Sequence, residues 1–370
     1  MTPPSPLRDP KTTPLARKIA ARLAFGGPIS VHDYVEACLY DSECGYYRTK
    51  AAIGQGGDFV TAPEISQVFG ELIGLWAGEV WRQMGEPARV WLVELGPGRG
   101  TLMADAIRAL KVVPGFLSGA TVHLVETSKT LQDSQRAALA QAPVRICWHD
   151  DLKDVPDGPA IFIANEFFDC LPVQQFVFDD SGGGWRERMV GLDGSGFRFA
   201  AGTIVETPPG LDPAAATAIE DGAILECRPA VGGIIDAFAA RSPFAALIID
   251  YGYSRLSIGD TVQAVRAHRF AGLFDMPGEN DITAHVDFLQ LKQAAERAKM
   301  KTFGPMPMGE WLLRLGLEAR VRQLLGHASE EEANEMRGRV TRLVDPAQMG
   351  VLFKVLALTN GIAMSPPPFE

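Results

Sequence analysis

The stretch VWLVELGPGRGTL, residues 90–102, decides the fold. An apolar run carrying one acid, Glu94, ends in Gly96, Gly98 and Gly100, and TLMADAIRAL (101–110) comes next with apolar residues at helical spacing. Such a run reads as a buried strand. Strand, bare loop and helix in succession let a ligand come close to the backbone, because a Cβ would hold it away. Three readings fit: a dinucleotide, S-adenosylmethionine, or a tight turn with no ligand. The spacing is G-x-G-x-G and position 101 is Thr, so the dinucleotide fingerprint G-x-G-x-x-G is not met.

Outward from this stretch the same rhythm repeats. RVWLVEL, TVHLVE, VRICW and AIFIAN read as strands, separated by the helices TLMADAIRAL and SKTLQDSQRAAL, the second with Ser128 as its N-cap. Apolar runs alternating with amphipathic helices predict a parallel sheet covered on both faces. After Leu171-Pro172 the rhythm breaks, and QQFVFD, GWRERMVGL and FRFAAG predict an antiparallel β insertion. The theme resumes with helix PAVGGIIDAFAAR, strand FAALIIDYG, a helix over about 284–298 and strand MKTFG. The last strand, VLFKVLALTN, is expected to run antiparallel. The fold class is therefore α/β, a seven-stranded doubly wound Rossmann-like sheet with ligands at the strands' carboxyl ends. N-terminal helices at about 14–25 and 30–40, the Gly-rich loop GQGGDFVTAPEIS and a long helix over about 64–85 precede it. The expected divisions are an N-terminal helical or lid region (1–85) and a core (86–172, 244–304 and 346–360). A β-rich insertion (173–243) and a helical insertion (305–345) interrupt that core.

The bulk numbers bound the function. Of 370 residues, 46% are hydrophobic and 22% charged, which is ordinary for a globular protein. A net charge of −10 disfavours non-specific binding to nucleic acid or to an anionic membrane. The five cysteines are scattered without a C-x-x-C pair, and the histidines carry no ligand spacing, so neither a disulfide framework nor a metal site is expected. No apolar run approaches the roughly 20 residues that span a bilayer. LARKIAARLAF (15–25) reads as an ordinary helix, with Thr13 as N-cap and Pro14 at N1, rather than a targeting segment.

Acids stand where three successive strands end. Glu94 lies beneath the glycine loop, where it can accept hydrogen bonds from it or reach a ligand amine through water. Glu126 ends the next strand, placed to grip two ribose hydroxyls with one carboxylate. Asp150 and Asp151 come after the third, where a carboxylate can accept from an adenine amino group. Each alone reads equally well as a solvated loop charge; together at one sheet edge they favour an adenosyl pocket.

V-x-E-x-G-x-G-x-G with a later strand-end acid resembles the class I S-adenosylmethionine-dependent methyltransferases. The longer words GDFVTAPEISQVFGE (57–71), NEFFDCLPV (165–173), LIIDYGY (247–253) and DITAHVDF (281–288) resemble the MidA family, proteins linked to assembly of respiratory complex I. Its mitochondrial members are regarded as protein-arginine methyltransferases acting on a complex I subunit. The resemblance runs from about residue 14 to near the end, with one departure: Cys170 stands where Ala is expected, and a buried thiol is close in size. It implies S-adenosylmethionine as cofactor, a protein substrate such as a complex I subunit, and a cytoplasmic location in a bacterium or the mitochondrial matrix in a eukaryote. Glycines 96, 98 and 100, with Pro97 in the same loop, would line the methionine moiety, Glu126 the ribose, and Asp150 or Asp151 the adenine. Asn165 and Glu166 would stand beside the sulfonium.

An arginine acceptor stays protonated, and paired carboxylates can hold its fork and concentrate electron density on the attacking nitrogen. Glu64, Glu166 and Asp169 are the candidates. Against this, Glu64 also suits a helix first turn and Asp169 a turn before Leu171-Pro172. Phe167 and Phe168 read as core before substrate face. Tyr251 and Tyr253 border the acceptor site or a half-buried rim, and His285 and Asp287 suit a structural or substrate-orienting role. NEFF also echoes the Asn-Pro-Pro-aromatic word of amide and amino methylating enzymes, which keeps such an acceptor as the alternative. A non-catalytic assembly factor that binds the cofactor, and an NAD-linked oxidoreductase, are the rival functions.

Overall fold

The computed structural model describes residues 12–49, 61–194, 196–211, 219–326 and 328–369. The Pro/Thr-rich start, most of the Gly-rich loop 54–60 and His327 lie outside the described residues. The chain divides into two compact units. One comprises Met1–Ala52, Asp169–Val231 and Arg255–Gln290, and the other Ile53–Phe168, Gly232–Ser254 and Leu291–Glu370.

The second unit holds the doubly wound sheet. Its strands are β1 (Val90–Leu95), β2 (Ala120–Val125), β3 (Arg145–His149), β4 (Ala160–Asn165), β5 (Phe244–Tyr253), β6 (Lys301–Pro307) and β7 (Phe353–Asn360). The path across the sheet is β6-β7-β5-β4-β1-β2-β3. β3, β2, β1, β4 and β5 pair in parallel, whereas β7 pairs antiparallel with both β5 and β6. Six strands thus point one way and β7 the other, as the apolar runs predict. Chain order reverses beside β1, which has β2 and β4 as its two neighbours. The loops leaving the carboxyl ends of these three strands therefore meet at the switch point.

The helix Thr101–Leu110 matches its expected bounds. The predicted long helix 64–85 does not form as one piece. Ser66 is extended (φ −153, ψ 129), ending a short helix Ala62–Ile65 and capping Gln67–Gln83 by accepting from the Val68 N–H. The cap is a local hydrogen bond that satisfies an end donor, and it overrides an unbroken apolar period. Helix Gln67–Gln83 then packs very close to Thr101–Leu110: a Cβ on Gly74 would lie 2.5 Å from the Ala106 carbonyl oxygen. Buried Glu71 accepts from Arg108 (3.0 Å) and Arg320 (2.7 Å), tying the helical insertion to this pair. That insertion runs as Met308–Arg314, Leu317–Leu325 and Glu330–Val344, and Trp311 of its first helix is wholly buried.

The first unit carries the antiparallel insertion. Gln174–Asp179 pairs with Gly184–Asp193 and Ile224–Cys227, and Gly184–Asp193 pairs with Gly196–Val205. A second small sheet, Gln263–Arg266 with Arg269–Ala271 and Asp281–Thr283, is not foreseen from sequence. Thr13 caps the first helix by accepting from the Ala16 N–H at 3.0 Å, with Pro14 opening it, as expected. The helix predicted from 284 begins only at Phe288. Asp287 accepts from the N–H groups of Leu289 and Gln290 (2.9 and 3.0 Å), so His285 and Asp287 stand outside the helix and Asp287 serves its start. Among the described residues, no helix is long and apolar enough to cross a membrane.

Candidate active site

β1 delivers Glu94 to the switch point and then turns sharply. Gly96, Gly98 and Gly100 adopt φ of 60°, 53° and 84°, a region that costs other residues strain. The loop is held by Gly96 N–H donating to Val125 O (3.1 Å) and Gly100 N–H to Pro97 O (2.8 Å). A Cβ on Gly96 would lie 3.0 Å from the Phe167 ring, and one on Gly100 3.3 Å from Gln135 Cα. The bare glycines therefore serve both backbone conformation and close approach.

A narrow cleft opens over this loop, bordered by Glu64, Glu94, Gly96, Pro97, Gly98, Arg99, Thr101, Asn165 and Glu166 among others. Two sequence candidates for acceptor binding, Glu64 and Glu166, thus border the same cleft as the glycines. Glu64 sits in the first turn of the short helix and accepts from the Thr101 hydroxyl at 2.5 Å. Glu166 Oε1 accepts from the Ala62 N–H (3.0 Å) and from Asn165 Nδ2 (3.2 Å). Glu166 also has φ 50°, strained for a residue with a Cβ, directly after β4. Asp250, buried in β5, steadies the turn beyond it by accepting the Phe168 N–H at 2.9 Å.

The acids differ in their surroundings. Glu126 is 8% exposed and held at both oxygens: Oε1 accepts from the Ser128 N–H (2.8 Å) and Oε2 from Gln135 Nε2 (3.3 Å). Ser128 holds the N-cap position of helix Lys129–Ala138, but its side chain makes no capping bond; its N–H serves Glu126 instead. Glu94 is 3% exposed, and its Oε2 finds no partner among the described residues. Burial, reinforced by the neighbouring Glu126 charge, pushes its carboxyl up to about 8. Asn165 Oδ1 likewise has no partner among them. Asp150 is exposed, contacts Lys129 (3.2 Å), and shares Gln132 with the Glu126 carbonyl. Asp151 instead caps the turn Leu152–Asp154 by accepting the Lys153 N–H at 3.0 Å.

Asp169 belongs to the first unit, where it is buried and its carbonyl accepts from the Ala284 N–H. Cys170, expected as a buried thiol, is half-buried, and its sulfur accepts from the Tyr47 hydroxyl at 2.9 Å, a bond Ala would lack. The two phenylalanines part company: Phe168 is wholly buried core, while half-buried Phe167 borders the loop at Gly96. Tyr251 and Tyr253 are half-buried, Tyr251 packing against Phe353. His285 contributes main-chain bonds, its N–H to Thr261 and its carbonyl to Arg228. His149 lies 2.8 Å from His123, nitrogen to nitrogen. Arg99, Thr101, Gln132, Gln135 and Asp250 were not singled out from sequence. Their polarity is visible there, but not the groups they face.

A ligand suited to this cleft brings donors and positive charge, since buried acceptors rarely stay unpaired. S-adenosylmethionine brings both: an ammonium, an amino group and a cationic sulfur. Glu94 and Asn165 supply the waiting acceptors, the glycines admit a chain close to the backbone, and Glu126 has lone pairs left for a ribose diol.

Comparisons with known proteins bear on the same chemistry. A family described as "Putative S-adenosyl-L-methionine-dependent methyltransferase" matches residues 72–306, more than half of the chain. The mitochondrial protein arginine methyltransferase NDUFAF7 homolog of Drosophila melanogaster is 36% identical, over 94% of this chain and 85% of the relative. The mitochondrial protein arginine methyltransferase NDUFAF7 of Homo sapiens is 34% identical, over 95% and 85%. A crystal structure from Burkholderia thailandensis, bound to S-adenosyl-homocysteine, is similar with a TM-score of 0.81 and 28% identity, covering 95% of this chain and 93% of that one.

Proposed function

The chain belongs to this family of S-adenosyl-L-methionine-dependent methyltransferases, and from that premise we propose that it methylates an arginine side chain of a protein. The observation that carries the acceptor is the pair of carboxylates, Glu64 and Glu166, bordering the cleft of the glycine loop. The names of the relatives, protein arginine methyltransferases, point the same way.

The cofactor supplies an electrophilic methyl group on a cationic sulfur. The protein's part is to position and to shape charge. Glycines 96, 98 and 100, with Pro97, hold the methionine end, Glu126 the ribose and Asp150 the adenine; Asp151, spent on its turn, is the weaker partner. Glu94 and Asn165 face the ligand's positive end. Glu64 and Glu166 hold the acceptor guanidinium by its fork. One acceptor nitrogen would gain the methyl group as the S–CH3 bond breaks and its electron pair stays on sulfur, and the N–H proton that this nitrogen gives up would pass to Glu166. Partners of these carboxylates include the Thr101 hydroxyl, the Ala62 N–H and the Asn165 amide, all neutral donors, and a guanidinium adds a charge-assisted bond beside them.

The substrate we propose is a respiratory complex I subunit, as the MidA resemblance implies. The setting is then the cytoplasm of a bacterium or the matrix of a mitochondrion, the latter supported by the mitochondrial relatives. The test is transfer of labelled methyl from S-adenosylmethionine to complex I subunits, then acid hydrolysis and identification of the labelled amino acid. Label in methylarginine, lost in Glu166→Gln while S-adenosyl-homocysteine still binds, supports the reading. Label released as methylamine, which acid hydrolysis frees from a methylated glutamine or asparagine amide, overturns the arginine acceptor.

A further inference from the structure

The helix Lys129–Ala138 carries a glutamine whose side chain reaches both halves of the cofactor site. Gln135 is wholly buried. Its Nε2 donates to the Gly98 carbonyl at 2.7 Å and to Glu126 Oε2 at 3.3 Å. Its Oε1 accepts from the Trp148 indole N–H at 2.9 Å, which fixes which end of the amide faces the site. Trp148 is steadied in turn by the Arg136 guanidinium stacked 4.0 Å over its ring. Only an amide meets all three demands. A carboxylate there would oppose Glu126 and the Gly98 carbonyl, and an apolar side chain would remove the donor that both oxygens share and the acceptor of the indole N–H.

We propose that Gln135 is a positioning residue that locks the glycine loop to the ribose-binding carboxylate, so that a ligand spanning both meets them at a fixed separation. The inference rests on the proposed roles of Gly98 at the methionine end and Glu126 at the ribose. Without this bridge each half survives, the loop through its own Gly96–Val125 and Gly100–Pro97 bonds and Glu126 through the Ser128 N–H. The base of the loop stays tied to Val125, but its tip at Gly98 is no longer tied to the Glu126 carboxylate. A ligand that uses both halves must then reorder the loop at its own expense, whereas one that uses only the ribose half is largely indifferent.

Two ligands read this difference by calorimetry: S-adenosyl-homocysteine, which spans both halves, and adenosine, which lacks the amino-acid end. In Gln135→Met, a shape-preserving change, S-adenosyl-homocysteine should weaken about 30-fold and adenosine about 3-fold, so the ratio of the two affinities falls about tenfold. Trp148→Phe keeps Gln135 but frees its amide, and should lower the ratio about two- to threefold even if Gln135→Met does not fold. An unchanged ratio in the folded variants, whether both ligands weaken alike or neither does, overturns the coupling role and leaves Gln135 a packing residue. Wild-type protein that binds neither ligand would sink the cofactor assignment itself, and this inference with it.

Discussion

Glu94 and Glu126 stand at the carboxyl ends of adjacent parallel strands, both nearly excluded from solvent, yet the chain treats them in opposite ways. Glu126 receives the Ser128 N–H and the Gln135 amide, and Gln132 holds its carbonyl at 2.7 Å. Glu94 has an oxygen with no partner among the described residues and a carboxyl pushed up to about 8, first by burial and then by Glu126 itself. One acid is set in place before any ligand arrives. The other ionises at a cost that a cationic or donor-bearing ligand relieves. On the proposed assignment, the difference separates two tasks: rigid recognition of a neutral sugar, and electrostatic recognition of a positive end.

The comparison breaks most visibly at Glu126. Glu126→Ala removes the acceptor of a neutral diol and should weaken S-adenosyl-homocysteine about 100-fold by calorimetry, on the order of 3 kcal/mol. An effect under threefold would show that the ribose is held elsewhere.

At Glu94 the signature is in pH. An acid whose carboxyl is raised in the folded state stabilises the fold below its unfolded value, near 4.5. That contribution is lost as pH rises through about 8. Ligand-free protein should therefore lose stability between about pH 4.5 and 8, by a few kcal/mol at most. Glu94→Gln should flatten that slope in denaturant titrations across this range. An equal slope in both proteins would place the titrating group elsewhere.

Asp250 tests how firmly the acceptor side is built. Asp250→Ala strands the Phe168 N–H, and should cost about 1–3 kcal/mol in unfolding free energy while methyl transfer falls more than cofactor affinity. The smallest effects separate the two aspartates after β3. Asp150→Ala should weaken S-adenosyl-homocysteine about five- to tenfold, and Asp151→Ala less than twofold, because Asp151 is spent on its own turn. A reversed order would move the adenine contact to Asp151.

The sheet was readable from sequence because its strands are buried on both faces and so appear as unbroken apolar runs, β1 from Val90 to Leu95 being the clearest. The helix after it was readable because Gly100 and the apolar spacing bound it on both sides. The break at Ser66 was hidden, since the apolar period runs straight through it and the cap is one hydrogen bond. It matters for the site, because it sets off the short helix that carries Glu64. The small sheet around Gln263–Arg266 escaped because strands of three or four residues hold too few positions to show alternation. Within the site, the acids were legible from their place at strand ends. The groups that hold them were not. Gln132 and Gln135 look like ordinary polar residues of an amphipathic helix, and only the neighbouring strand and loop make them partners of Glu126 and Gly98.

The most direct test of the contrast between the two acids is the proton count on cofactor binding. S-adenosylmethionine is titrated calorimetrically at pH 7 in buffers of different ionisation enthalpy, against wild type and Glu94→Gln. A carboxyl near 8 is mostly protonated at that pH and must ionise to meet a positive ligand, so wild type should release about one proton more than the variant. Equal proton counts, or tighter binding by the variant, would contradict a Glu94 held in reserve for the cofactor's positive end.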